Sequence, residues 1–288
     1  MKKCWLFCLL LVGCSTNLVK QPKTYSFSND PIDVVIPCRE KDLVTLLDCI
    51  DGIRKYGENI RRVIVVSDKP LTDKAEWFDE KKFPFSKEDI VRIMVRSKKQ
   101  VRINKYFHSP RSGWVLQQLL KLYAYKVIPN LSSNVLLLDS DTVFINPVSF
   151  TGEDNAGLLN IGREYHKPYF AHAGRLIPGL KRLKKRWSGI CHHMLVQKPV
   201  LDDLFNTVET YHKNPFWQVF CRKIDKKELY GSGASEYEIY FNFALKRSEQ
   251  LQVRKLKWAE ITRLDEMDKY KKLGYHYISN HFYLREQN

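Results

Sequence analysis

The sequence lacks the patterns that identify several common classes of protein. It has no C-x-x-C pair, no zinc-finger spacing of Cys and His, and no aromatic signature of RNA-binding domains. The motifs G-x-G-x-x-G and G-x-x-x-x-G-K-[ST] are also absent, which argues against a dinucleotide site and a Walker-type site. No internal repeat or low-complexity tract is present. Nucleic acid is therefore not expected as a partner.

The N-terminal apolar stretch is too short for a transmembrane helix, which needs about 20 apolar residues. Lys2 and Lys3 precede apolar residues from Cys4 to Val12, as in a signal peptide. Residues 11–14, LVGC, resemble a bacterial lipobox, in which the cysteine is lipidated. We therefore predict a signal or lipobox-like segment at 1–14 and membrane association through the N-terminus; a chance apolar N-terminus is the alternative.

The remaining cysteines argue in the opposite direction. Cys38, Cys49, Cys191 and Cys221 form no dense framework, so we expect reduced, mostly buried thiols rather than a disulfide scaffold. Reduced thiols favour a cytoplasmic domain, whereas a processed lipoprotein is exported. The sequence leaves open on which side of the membrane the protein lies.

Composition indicates a folded globular protein with a basic surface. Of the 288 residues, 44% are apolar and 12% aromatic, which suits one large domain or two small ones. The net charge of +16 has two interpretations: it belongs to a solvated basic surface, or it serves to bind an anionic donor, an anionic acceptor or the negative face of a membrane.

Hydrophobic periodicity predicts an α/β domain. Residues 15–31 are polar and are interpreted as a linker. A strand at 32–37, a helix at 41–56 ended by Gly57, and a strand at 60–66 form a βαβ unit, hence parallel strands. The other predicted elements are strands at 90–95, 135–138 and 277–282 and a helix at 114–128.

The strand at 135–138 runs directly into Asp139 and Asp141. A strand buried on both faces cannot carry unpaired carboxylates, so both should lie just past its C-terminal end, where open α/β sheets bind ligands. Alternation places the two carboxylates on one side and turns Ser140 away. Such a pair suits Mn²⁺ or Mg²⁺, completed by water and phosphate oxygens. An Asp-rich turn that caps backbone groups is the alternative.

The segment LLLDSDTVFINPV resembles the Asp-x-Asp region of nucleotide-sugar glycosyltransferases of the GT-A fold, where the motif binds a divalent ion that bridges the donor diphosphate. A longer resemblance covers most of residues 32–285. It relates the chain to uncharacterised bacterial glycosyltransferase-like proteins with a domain-of-unknown-function label. The segments that carry it are GWVLQQLLKLYAY, NIGREYHKPYFAH, SGICHHMLV and GASEYEIYFNFAL. The resemblance implies a GT-A-like (Rossmann-like), mainly parallel sheet flanked by helices in a single domain at 32–286. Residues 32–147 would bind the nucleotide sugar and residues 148–286 the acceptor.

The donor site is predicted around the first βα turn, where GT-A enzymes bind the nucleoside; an ordinary βα turn is the alternative. Gln117 and Lys121 share one face of a helix, and Lys121 is expected to pair with donor phosphate or with the aspartates. A solvated surface lysine is the alternative. The donor-binding candidates are Pro37, Cys38, Arg39, Ser67, Gln117, Lys121, Asp139 and Ser140.

The acceptor site is predicted in segment 160–198, which is rich in His, Arg and aromatic residues. Aromatic rings with polar neighbours hold sugars by stacking and hydrogen bonds; a surface loop with core histidines is the alternative. The basic tract 181–186 is interpreted as a solvated face or as a contact for an anionic acceptor or lipid head groups. The acceptor candidates are Arg163, Tyr165, His166, His192, His193 and Glu238.

Ser235 is predicted to cap a helix after the Gly-rich turn 231–234. Glu236 and Glu238 then fall in the first turn, where acids complement the helix dipole. The resemblance implies that Glu236 is a catalytic carboxylate and that His281 is a third metal ligand after Asp139 and Asp141. Lys121 would assist the metal in neutralising charge on the leaving group. A core histidine is the alternative for His281.

These features together predict a metal-dependent glycosyltransferase of the hexosyltransferase type. It would move sugar from a nucleotide-diphospho sugar to a glycan or lipid-linked acceptor, and the sequence leaves inversion or retention open. The other candidates are a surface-anchored glycan-binding protein and a nucleotidyltransferase, of which the second is disfavoured by the missing Gly-rich phosphate loop.

Overall fold

A computed structural model describes residues 17–19 and 21–285. The predicted signal or lipobox-like segment at 1–14 lies outside the described residues. Residues 21–31 contain no helix or strand, as expected of the predicted linker. They nevertheless pack on the domain, because the hydroxyl of Tyr25 donates to the Asp203 carboxylate at 2.7 Å.

The described part of the chain contains ten strands and ten α-helices. The strands are β1 (Ile32–Pro37), β2 (Ile60–Ser67), β3 (Glu76–Asp79), β4 (Asn134–Leu138), β5 (Thr142–Phe144), β6 (Leu158–Asn160), β7 (His193–Gln197), β8 (Gln252–Arg254), β9 (Trp258–Glu260) and β10 (Tyr277–Ser279). The helices are α1 (Leu43–Tyr56), α2 (Lys87–Val95), α3 (Gln100–Phe107), α4 (Pro110–Val127), α5 (Lys167–Leu176), α6 (Lys198–His212), α7 (Phe216–Lys223), α8 (Glu236–Arg247), α9 (Met267–Lys272) and α10 (Phe282–Arg285).

The main sheet has five strands in the order β3-β2-β1-β4-β7. The first four are parallel, and β7 pairs antiparallel with β4. A smaller sheet, in the order β5-β10-β9, continues from the end of β4 through the turn that carries Asp139 and Asp141. The predicted fold class, a mixed and mainly parallel α/β sheet flanked by helices in one domain, is confirmed. Because β7 belongs to the main sheet, both predicted halves of the domain, 32–147 and 148–286, contribute strands to it.

The main sheet is buried on both faces because its central strands are continuously apolar. In β1, Val34 and Ile36 pack toward α1, while Val35 packs toward the side of α4. In β4, Leu136 and Leu138 pack on the α1 side of the sheet, and Leu137 packs on the α4 side. This alternation is the one predicted for a strand buried on both faces. It leaves no room for an unpaired charge before Asp139.

The predicted βαβ unit is confirmed, and Gly57 ends α1 as expected. The strand predicted at 90–95 is wrong: these residues belong to α2. Ser86 and Asp89 form a capping box at its start, and Ile90, Val91 and Met94 make one buried helical face. The third strand is β3, a short edge strand. The strand predicted at 277–282 ends at Ser279, and α10 starts at Phe282.

Within residues 17–19 and 21–285, no helix combines the length and apolar character needed to cross a bilayer. Cys38, Cys49, Cys191 and Cys221 are buried free thiols, as predicted.

Candidate functional site

Asp139 and Asp141 lie just past the C-terminal end of β4, as the buried strand predicted. The backbone N–H of Asp139 donates to the carbonyl of His192 at 3.0 Å, which fixes the turn against the start of β7. The N–H of Asn280 donates to the carbonyl of Asp141 at 2.8 Å, which ties the same turn to the end of β10. Two sheets therefore hold the two aspartates in place.

A buried lysine lies between Asp139 and Glu236. The Nζ of Lys121, on α4, donates to Asp139 Oδ1 at 2.5 Å and to Glu236 Oε1 at 2.6 Å. The side chains of Lys121 and Glu236 are only 4% and 5% exposed. Tyr237 completes the group, since its hydroxyl lies 3.1 Å from both Lys121 Nζ and Asp139 Oδ1. The structure thus brings together Lys121, Asp139 and Glu236, three residues predicted separately from the sequence.

The ion pair between Lys121 and Asp139 keeps both side chains charged. Burial opposes the charged form of Asp139, but the nearby Lys121 ammonium outweighs it and holds the pKa of Asp139 well below its usual range. Burial likewise opposes the charged form of Lys121, and the two carboxylates outweigh it, so the pKa of Lys121 lies well above its ordinary value. The lysine is therefore a fixed positive charge in the site.

Asp141 has a different environment from Asp139. Its Oδ2 lies 2.8 Å from His281 Nδ1, whereas its Oδ1 is buried and has no hydrogen-bond partner among the described residues. A buried carboxylate oxygen without a partner is costly unless a cation or water satisfies it. His192, Glu260 and His281 each place a ligand atom within 4.8 Å of the others. Carboxylate and imidazole donors meeting here fit a divalent ion such as Mn²⁺.

A cavity of about 220 Å³ opens over these side chains. Its wall consists of Lys41, Asp42, Trp114, Gln117, Lys121, Asp139, Ser140, Asp141, Glu164, Tyr169, Ile190, Ser235, Glu236, Tyr237 and His281. A neighbouring cavity of about 590 Å³ is lined by the first βα turn, Pro37 to Arg39, and by Phe282 and Tyr283 of α10. The two cavities share Lys41, Asp42, Trp114 and Gln117. The predicted donor-binding turn and the Asp-x-Asp turn therefore face adjoining spaces.

Two predicted site residues, Ser67 and His193, are buried away from both cavities. Ser67 is fully buried, and its hydroxyl donates to the Lys69 carbonyl at 2.7 Å within its own turn. His193 is enclosed by Phe144, Phe150 and Tyr277, and its burial lowers its pKa to about 3. Neither side chain reaches a cavity wall, so the structure does not bring Ser67 to the predicted donor site or His193 to the predicted acceptor site.

Glu238 also lies away from both cavities. Its carboxylate accepts from Ser188 Oγ at 2.5 Å and from Asn242 Nδ2 at 2.8 Å, and it is 1% exposed. Glu238 is two residues after Glu236, which turns it about 200° around α8 and so away from the contact of Glu236 with Lys121. The contact with Ser188 fastens the 188–189 loop to α8, and the structure does not bring Glu238 to the wall of either cavity.

The other predicted acceptor residues lie at or near the cavity. Arg163 and Tyr165 are exposed on either side of Glu164, which lines the small cavity. His166 packs edge-on against Tyr169, another wall residue, with ring centroids 4.6 Å apart. His192 has a left-handed backbone, φ 62°, and its Nδ1 lies 3.7 Å from Asp139 Oδ2.

Several residues of the site escaped the sequence analysis. Tyr237 had a local signal, since it follows Glu236 in the first turn of α8. Gln118 accepts from the backbone N–H of Glu236 at 3.0 Å and so fixes the start of α8 against α4. Glu260 ends a three-residue strand with no pattern around it, and it approaches His281 Nε2 to 3.7 Å only through the pairing of β9 with β10. Only the fold shows that contact.

Two solved glycosyltransferase structures are similar to the chain. Mouse xyloside xylosyltransferase 1, in its apo form, matches with 10% identity and a TM-score of 0.40 over 87% of this chain and 97% of its own. The WbbM bifunctional glycosyltransferase, also apo, matches with 10% identity and a TM-score of 0.43 over 90% of this chain and 47% of its own. At these scores the likeness supports no inference about activity.

No curated protein matches the sequence. A family model does match, and it spans residues 40–274, which is well over half of the chain and includes Lys121, Asp139, Asp141 and Glu236. The chain therefore belongs to the family of unknown function DUF6492.

Proposed function

We propose that the chain is a metal-dependent glycosyltransferase that moves a sugar from a nucleotide-diphospho sugar to a glycan or lipid-linked acceptor. The observation that carries this proposal is the buried, unpartnered Oδ1 of Asp141 at the C-terminal end of β4, with His281 beside it. Asp141, His281 and the free Oδ2 side of Asp139 would hold a divalent ion. Such an ion would neutralise the charge that develops on a nucleoside-diphosphate leaving group.

The charge of the small cavity supports the same conclusion. Its wall carries five carboxylates, on Asp42, Asp139, Asp141, Glu164 and Glu236, and only two lysines, Lys41 and Lys121. Because like charges repel strongly in a partly desolvated site, an anionic diphosphate needs a further cation to bind here. Lys121 supplies one fixed charge. A divalent ion on Asp141 would add two more positive charges.

The larger cavity has the character of a nucleoside site. Pro37, Val66, Leu116 and Leu120 give it an apolar wall, and Arg39 and Arg111 place positive charge on it. A base needs apolar contact, and a phosphate needs nearby cations. The order of the two cavities would therefore place the sugar and diphosphate beside Asp139 and the nucleoside beside the first βα turn.

The chain's own side chains account for the remaining steps. Lys121 holds the Glu236 carboxylate at a fixed position facing the small cavity. A carboxylate so placed can take the proton of an acceptor hydroxyl in an inverting transfer. Trp114 and Tyr169, on the same wall, offer ring faces for a sugar.

The test is ligand-dependent stability. UDP, GDP, CMP and their sugars are screened by thermal unfolding with and without Mn²⁺; at 100 times its dissociation constant a ligand stabilises by about 2.7 kcal/mol. We expect one nucleotide family to stabilise the protein only with Mn²⁺, and Asp141→Asn to abolish that shift. The exposed Asp73→Asn is the matched control and should behave as wild type.

Two results would contradict the proposal. Normal Mn²⁺-dependent nucleotide binding by Asp141→Asn would exclude the proposed metal site at Asp141. Stabilisation by glycans without nucleotide or metal would favour a glycan-binding protein instead.

A further inference from the structure

The first described residues pack beside a basic loop. The N–H of Leu18 donates to the carbonyl of Pro178 at 3.0 Å, and Val19 is 1% exposed in the main core. The apolar stretch that ends at Val12 is five residues before Asn17. Since an extended chain covers at most about 3.6 Å per residue, the five residue steps from Val12 to Asn17 span no more than about 18 Å. The loop 181–186 begins two residues after Gly179, which contacts Asn17.

This loop concentrates positive charge. Between Tyr165 and Leu201 the sequence contains eight Lys or Arg and no Asp or Glu. Lys181, Lys184, Lys185 and Arg186 are exposed. Lys246 of α8 adds a fifth cation, because its Nζ donates to the Gly179 carbonyl at 3.0 Å. A surface of this kind attracts anionic lipid head groups, each cation near the membrane adding to the affinity.

Apolar and aromatic side chains are interleaved with these cations. Leu183 is 38% exposed and Tyr165 is 59% exposed. Lys184 Nζ lies 3.9 Å from the ring centroid of Trp187, and the Arg182 guanidinium lies 4.8 Å from that of Tyr165. Aromatic rings, an exposed leucine and long basic side chains together are typical of surfaces that lie in the lipid head-group region.

The loop is also joined to the wall of the small cavity. Arg182 Nη2 donates to the carbonyl of Glu164 at 3.2 Å, and Glu164 lines the cavity. At its other end, Ser188 donates to Glu238 of α8, two residues from Glu236. A membrane against this loop would therefore lie at the edge of the cavity.

We propose that residues 181–186, with Lys246, form a docking surface for an anionic lipid bilayer, the same bilayer that the apolar N-terminal stretch engages. The docked protein would turn the Glu164 edge of the cavity toward the membrane and so favour a lipid-linked acceptor. The acceptor class rests on the proposed function; the docking surface does not.

The experiment compares vesicle binding by the full chain and by a variant with Lys181→Gln, Lys184→Gln, Lys185→Gln and Arg186→Gln. Vesicles are phosphatidylcholine alone or mixed with phosphatidylglycerol, without nucleotide sugar. The apolar N-terminus contributes to the binding of both kinds of vesicle. The readout is therefore the ratio of the affinity for anionic vesicles to the affinity for neutral ones. We expect the variant to lower this ratio about tenfold or more, and added salt to lower it in the wild type.

The control variant removes four exposed lysines elsewhere, by Lys226→Gln, Lys227→Gln, Lys269→Gln and Lys272→Gln. It should keep the wild-type ratio. An unchanged ratio in the loop variant, or an equal loss in the control, would overturn the proposal. Intact vesicle binding with lost binding of a soluble anionic oligosaccharide would also overturn it, and would make the loop an acceptor site. Because no donor is present, these results do not depend on the glycosyltransferase proposal.

Discussion

Replacing Lys121 by Met is the sharpest test of the buried ion pair. The substitution keeps an unbranched side chain but removes the cation that lies 2.5 Å from Asp139 and 2.6 Å from Glu236. Removing one partner of a buried pair costs about 3–5 kcal/mol, because the other charge is left uncompensated. Since Asp139 is 20% exposed and can recover some hydration, we expect a loss near the lower end, about 3 kcal/mol.

The loss should depend on pH in a defined direction. In the wild type the pKa of Asp139 is lowered in the folded state, because Lys121 outweighs the opposing effect of burial. Its contribution is therefore present above the unfolded pKa of about 3.9 and disappears as the pH falls through the folded pKa. In the variant burial remains without the cation, so the folded-state pKa of Asp139 rises and its charged form stabilises the fold less than in the wild type. The difference between the two proteins is then largest at neutral pH and smaller at pH 4.

Urea unfolding at pH 7 and pH 4 measures this difference, with Lys126→Met as the control. Lys126 is on the same helix but exposed, so its replacement should change stability by no more than about 0.5 kcal/mol. Adding Glu236→Gln to Lys121→Met should restore part of the loss, because it removes one of the two unpaired acids; coupling of about 0.5–3 kcal/mol is typical of neighbours in contact. A loss below about 1 kcal/mol, or one that is the same at both pH values, would refute the reasoning.

Two further variants test the site and its surroundings. Glu236→Gln should lower turnover by roughly 10²–10⁴-fold with donor affinity little changed, whereas Glu238→Gln, outside the cavity, should keep turnover; equal turnover in both would exclude Glu236 as the base. Asp203→Asn should destabilise by about 1.5–3 kcal/mol in urea unfolding, because Asp203 accepts from Arg247, Lys23 and Tyr25. Although burial opposes it, these hydrogen bonds lower the pKa of Asp203, so the loss should shrink as the pH falls below about 4; a constant loss would contradict this.

The central sheet could be predicted because its strands are continuously apolar and bounded by turn residues. The same criterion failed at 90–95, where six mostly apolar residues fit a short strand as well as one face of a helix. Ser86 and Asp89, three residues apart, were the local signal for a helix start, and they decide the outcome through the capping box. The edge strand β3 gave no such signal, since two of its four residues are acidic and its pairing depends on β2.

The site was predictable only where one residue's role follows from its own element. The position of Asp139 and Asp141 follows from the end of a buried strand, and that of Glu236 from an N-cap. Other contacts between elements were not accessible. Pairing of Lys121 with an aspartate was one of its expected roles, but nothing near Lys121 in the sequence shows that α8 lies against α4, and nothing near Glu260 shows that β9 pairs with β10. Nor does the sequence show that His193 and Glu238 are buried away from the cavities, because burial depends on the packing of elements far apart in the chain.

The two aspartates show why spacing alone could not assign the metal ligands. Alternation predicts that Asp139 and Asp141 face the same side, and by that criterion they are equivalent. In the structure the Oδ1 of Asp139 is occupied by Lys121 and Tyr237, whereas the Oδ1 of Asp141 is buried and has no partner among the described residues. A cation entering the site gains more from the carboxylate that is not already neutralised. Asp141→Asn should therefore weaken Mn²⁺ binding more than Asp139→Asn does. Asp139→Asn should instead remove the ion pair that Asp139 makes with Lys121.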